Sequence, residues 1–134
     1  MMNPLPPSPS IVPAPCPVKP GVEHRPLLGG HEAAKLMALF KVLANDTRLR
    51  LLHALIRGGE VSVGDLAREL GMKPQAVSNQ LQRLADRGMV ASTRAGNRLL
   101  YRIADRCVPI LLERAWCLIE EMAGRNAASA AEPA

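Results

Sequence analysis

The sequence predicts a small, mainly α-helical domain with one short β-hairpin, and three observations carry that prediction. Apolar residues recur at three-to-four spacing in five separate stretches. Gly or Asn-Asp pairs punctuate the joints between them. One pair of short segments, Ala91 to Arg94 and Leu99 to Ile103, flanks Ala95-Gly96-Asn97, which is a hairpin signal. At 134 residues the chain has room for a single small domain.

Residues 1–30 hold nine of the twelve prolines and no periodic pattern, so they are expected to form a disordered or extended arm. Order is expected from His31, where Ala33, Ala34, Leu36, Met37, Leu39, Phe40, Val42 and Leu43 mark an amphipathic helix that stops near Asn45. Asn45 and Asp46 suit the N-cap of a second helix, with Leu49, Leu51, Leu52, Leu55 and Ile56 as its apolar positions and Gly58-Gly59 as its end. Ser62, followed three residues on by Asp65, opens a short third helix carrying Leu66, Ala67 and Leu70, and Gly71 closes it. A fourth runs from Pro74, which fits a first helical position, to Arg87, with Ala76, Val77, Leu81 and Leu84 expected inward. After the hairpin and Asp105, a last helix extends to about Gly124. Pro109 is tolerable there because it falls near the first turn, and the Ala-rich tail from Asn126 is expected to fray. The boundaries are therefore an arm over 1–30, a folded unit over 31–124 and a flexible tail over 125–134.

Two short helices joined at Gly71, the second polar on its outer face and followed by a hairpin, make a helix-turn-helix with a wing. The outer residues of the second helix are Gln75, Ser78, Asn79, Gln82 and Arg83. Gln and Asn can pair with adenine and Arg with guanine in the major groove, although the same residues also describe an ordinary solvated face. Charge placement favours the groove. Between Lys73 and Ile103 lie Lys73, Arg83, Arg87, Arg94, Arg98 and Arg102 against Asp86 alone, a surplus equal to the whole chain's net +5. A polar helix beside a basic wing is a footprint for phosphates, so Arg94 and Arg98 are expected on the backbone or in the minor groove.

Composition removes other classes. Aromatics are 2% of the chain, only Phe40, Tyr101 and Trp116, which excludes binding by base stacking on aromatic platforms. No run of 18 apolar residues predicts a membrane span, and early prolines break any secretory h-region, so a cytoplasmic location is expected. Cys16, Cys107 and Cys117 are odd in number and widely spaced, which argues for free thiols. Enzyme signatures are absent, with no nucleophile set beside an evident base or oxyanion partner.

Residues Phe40 to Leu52, Glu60 to Ala67, Val77 to Leu84, Gly88-Met89-Val90 and Tyr101 to Asp105 together resemble the ArsR/SmtB bacterial repressors over roughly residues 32–122. The resemblance implies a homodimeric winged-helix repressor that leaves its operator when an inducer binds. The last helix independently suggests a dimer. At about 100° per residue, Cys107, Ile110, Leu111, Arg114, Cys117, Leu118 and Glu121 fall on one side and Val108, Leu112, Ala115, Trp116 and Ile119 on the other. One face should cover its own subunit and the other a partner helix, antiparallel in the family.

One metal site of the family uses two cysteines in the segment matching Glu60 to Leu66, where this chain has Ser62 and Gly64. That site is lost. A second family site lies across the paired last helices, with Asp-x-His near the start of one and His-x-x-Glu or His-x-x-His near the end of the other. The matching positions here read Asp105-x-Cys107 and Leu118-x-x-Glu121, with Cys117 just before. Thiols in place of imidazoles favour mercury, cadmium, lead, copper(I) or trivalent arsenic over zinc or nickel. Such an ion would act as inducer and is not needed for folding. Within one helix Cys107 and Cys117 are roughly 15 Å apart, so only antiparallel pairing brings them together, and Cys16 on the arm could add a third thiolate. Two alternatives stay open for the same cysteines: oxidation or persulfide formation, favoured at Cys107 by the helix start and Arg106, and simple packing as small hydrophobes. A winged-helix module that binds protein is the contrasting class.

Overall fold

The computed structural model describes residues 18–131. After a single 3-10 turn at Val22–His24, the elements are α1 (Gly30–Leu43), α2 (Asp46–Gly58), β1 (Glu60–Ser62), α3 (Val63–Leu70), α4 (Pro74–Asp86), β2 (Val90–Ala95), β3 (Arg98–Ile103) and α5 (Cys107–Ala131). The expected mainly helical architecture with a hairpin wing is the one found.

Local chemistry explains the boundaries. Asn45 caps α2, its side-chain oxygen accepting from Arg48 N at 3.0 Å, and Ser62 caps α3 by accepting from Asp65 N at 3.1 Å. Gly71 ends α3 at φ +67°, a left-handed conformation that glycine adopts without strain, while Met72 N donates back to Ala67 O at 2.9 Å. This closure turns the chain sharply into α4, which opens with Pro74 in its first turn. In the hairpin Ala95 pairs with Arg98, leaving the two-residue loop Gly96-Asn97. Gly96 has φ +63° at the first central position, the place where a type II′ turn requires it.

The antiparallel sheet has the order β1-β3-β2, with Val61 opposite Tyr101 and Val90 opposite Ile103. β1 adds a third strand to the expected hairpin. The core lies between α2, α3, α4 and this sheet. Leu51, Leu52, Leu55, Leu66, Val77, Leu81 and Leu84 are fully buried, and Tyr101, Ile103, Met89, Val90 and Val108 close around them. Fully burying a side chain of this size is worth about 1.5–3 kcal/mol. Ala76, expected inward, is exposed, because the inward row of α4 begins one residue later at Val77.

α5 departs most from expectation. Among its described side chains only Val108 is buried, with Leu111 and Leu112 packed against the core. From Glu113 to Ser129 the helix is exposed throughout, so only its first turns pack on the body of its own subunit. It also continues to Ala131 rather than ending near Gly124, in keeping with the high helix propensity of alanine.

Candidate DNA interface and inducer region

α3, the Gly71 turn and α4 place one face of α4 outward. Gln75, Asn79, Gln82 and Arg83 are exposed on it and Ser78 is half-buried, opposite the buried row Val77, Leu81 and Leu84. The amides are held in place by their neighbours. Gln75 Nε2 donates to Asn79 Oδ1 at 3.0 Å and Gln82 Nε2 donates to Asp86 Oδ1 at 3.0 Å. One partner each leaves further donor and acceptor capacity facing outward, which is what base-edge reading needs.

The two wing arginines are placed differently. Arg94 is exposed near the tip of β2. Arg98, at the start of β3, reaches back to α3, where Nη2 lies 3.0 Å from Ser62 Oγ and donates to Asp65 Oδ2 at 2.9 Å. Arg68 also pairs with Asp65. The Ser62 hydrogen bond, opposed in part by desolvation and reinforced by the Arg68 and Arg98 charges, holds the Asp65 carboxyl below its ordinary value. The segment that in the resembling family carries a cysteine pair therefore holds a polar brace between α3 and the wing. Spacing alone did not reveal it, because Asp65 and Arg98 are far apart in sequence.

A large apolar groove lies between α1, α2 and α5. It encloses about 970 Å³ and is lined by Phe40, Leu49, Ile56, Leu112, Trp116 and Ile119 among others. Phe40 is 52% exposed, Trp116 64% and Ile119 55%. Leu36, Met37, Leu118 and Met122 extend the uncovered apolar surface along both helices.

Cys107 is the first residue of α5 and Cys117 lies ten residues further along it, both on the surface. Cys117 is a free thiol, whereas Cys107 is disulfide-bonded, which corrects the expectation that every cysteine stays reduced. Asp105 Oδ1 accepts from Cys107 N at 2.8 Å, fixing the start of the helix. Cys16 lies outside the described residues. Among the described residues no three His, Cys, Asp or Glu side chains gather closely enough to hold a metal ion, and no helix is long and apolar enough to cross a membrane. α5 carries cysteines where the resembling family carries imidazoles, and reduced cysteines suit soft ions.

A family model described as MarR family matches residues 45–98, the segment from the cap of α2 to the first residue of β3. Relatives match over more of the chain. The HTH-type transcriptional regulator NmtR of Mycobacterium tuberculosis is 39% identical over 88 residues, 66% of this chain and 72% of that protein. The crystal structure of AntR, an antimony-specific transcriptional repressor, is 58% identical with a TM-score of 0.67, covering 81% of this chain and 98% of that one. A homodimeric winged helix-turn-helix DNA-binding domain from Mycobacterium bovis, described as a possible ArsR-family regulator, is 32% identical with a TM-score of 0.63, covering 74% of this chain and 94% of that one. The polar face of α4, the wing beside it and these likenesses agree: the chain belongs to the ArsR/SmtB family of winged-helix, DNA-binding transcriptional repressors.

Proposed function

We propose that this protein is a homodimeric cytoplasmic repressor that leaves its operator when thiolates on α5 bind a trivalent metalloid of the arsenic and antimony class. The observation that carries the inducer class is the 58% identity to an antimony-specific repressor, spanning nearly all of that chain, joined to the two cysteines on α5, which are thiols in the reduced protein. The exposed apolar residues of α1 and α5 support the dimer, since burying a groove of this size against a second copy removes a large apolar surface from water. Residues 31–124 form the DNA-binding and dimerising unit. Gln75, Ser78, Asn79, Gln82 and Arg83 read bases, Arg94 holds phosphate, and Arg98 braces the wing.

Antiparallel pairing of α5 sets Cys107 of one subunit against Cys117 of the other, with Cys16 as the third thiolate. Coupling of about 1–3 kcal/mol between inducer and operator is enough to lower operator affinity by about 5–150-fold. Fluorescence titration of the reduced protein on a palindromic fragment of its own promoter tests this. Trivalent antimony and arsenite are expected to release wild type but neither Cys107→Ser nor Cys117→Ser, and zinc is expected to release none. Release by antimony that ignores both cysteines would reject the assignment.

The disulfide at Cys107 favours one second reading, in which oxidation of this thiol is itself the signal. Under that reading an oxidant releases the operator without any metalloid. A reductant restores it.

A further inference from the structure

Arg48, in the first turn of α2, is half-buried, and its guanidinium joins two helices that play different parts. Nε donates to Gln80 Oε1 at 2.9 Å, and Nη1 donates to the carbonyl of Val42 at 2.9 Å. Val42 sits in the last turn of α1, where carbonyls lack intrahelical partners and the helix dipole is negative, so a cation is well placed there. Gln80 is half-buried on the inner side of α4, next to Asn79 and two residues before Gln82 of the exposed row. Both acceptors are neutral. A planar, rigid guanidinium bonded on two edges fixes the direction of each partner as well as its distance, which a lysine ammonium does not.

α1 carries Leu36, Met37 and Phe40 on its uncovered side, and α4 carries the residues that face DNA. We propose that Arg48 is a positioning residue for operator recognition: through Val42 and Gln80 it sets the tilt of α4 against α1, and so the half-site separation that the dimer accepts. This rests on the dimer inferred above. The lever is large enough to matter. α4 has thirteen residues and is about 20 Å long, so a tilt of about 10° moves its end by about 3.4 Å, one base-pair step. Two-fold symmetry applies the displacement in both subunits at once.

The test measures affinity for duplexes with identical half-sites whose centre-to-centre separation is changed by −1, 0 or +1 base pair, with a single half-site duplex as control. Sedimentation under the same conditions reports the oligomeric state. Wild type is expected to be dimeric and to prefer one separation by about tenfold or more, the size of one mis-set base contact. Arg48→Met and Gln80→Leu are each expected to flatten that preference to about twofold while leaving half-site affinity within about twofold. Gln80→Leu keeps the Arg48–Val42 bond and decides the matter alone if Arg48→Met does not fold. A uniform loss of affinity with the wild-type separation profile intact would overturn the proposal and leave Arg48 a purely stabilising residue. A dimeric wild type indifferent to separation would overturn it too. A monomeric wild type would instead reject the dimer reading, and the proposal with it.

Discussion

Arg94 and Arg98 are both basic wing residues, but only Arg94 points its charge away from the protein. A phosphate contact contributes about 0.9 to the slope of log affinity against log salt, so Arg94→Ala in a dimer is expected to reduce the slope by nearly two. Arg98→Ala is expected to leave the slope unchanged, because its guanidinium is engaged with Ser62 and Asp65. Salt titrations of operator binding by the two variants check this, and equal slope losses would show that Arg98 swings onto DNA. Asp65 adds a pH test. Its folded carboxyl titrates below the ordinary 3.8, so the ionised form stabilises the native state at neutral pH, and that contribution fades as pH falls below 3.8 through the folded value. Urea midpoints of wild type and Asp65→Asn are expected to differ at pH 7 and to converge in acid. A gap independent of pH would mean that the brace does not depend on charge.

At the level of elements, the helices and the hairpin were legible because their signals are local. Asn45 and Ser62 cap where capping residues were expected, Gly71 turns the chain, and Gly96 shapes the wing. β1 was not legible. It has three residues, and it is a strand only because Arg102, Tyr101 and Leu100 lie opposite Glu60, Val61 and Ser62. The bond between Arg48 and Gln80 was hidden for the same reason, since a polar residue in an amphipathic helix carries no sign of its distant partner. α5 was legible as a helix with two apolar faces, but not as a helix that is exposed from Glu113 onward. That exposure gives a direct expectation. Trp116→Glu places a charge on the uncovered face, where burial against a second copy would leave it unpaired. Sedimentation equilibrium is expected to show a folded monomer with operator affinity reduced by a factor of about 100 or more, the scale on which two-site binding exceeds single-site binding. A variant that stays dimeric would move the interface elsewhere.

For the molecule as a whole, the proposed DNA-facing and inducer-facing parts occupy different elements, α4 with the wing and α5, joined through the core. The outward positions of the residues proposed to read bases were legible, because outward polar positions on a periodic helix can be counted. The proposed inducer ligands were legible only as cysteines. Which thiols share one ion depends on how two chains pair, and helical spacing in one chain leaves Cys107 and Cys117 about 15 Å apart. The most direct test of the thiolate sensor is therefore made on mixed dimers. Cys107→Ser and Cys117→Ser protomers are purified reduced, combined by subunit exchange, and titrated with trivalent antimony while thiolate-to-antimony absorbance is followed. Each variant homodimer is expected to bind none tightly, and the mixed dimer to regain one site of the two in wild type, because one Cys107 again faces one Cys117. A mixed dimer as silent as its parents would contradict a site built across the subunits.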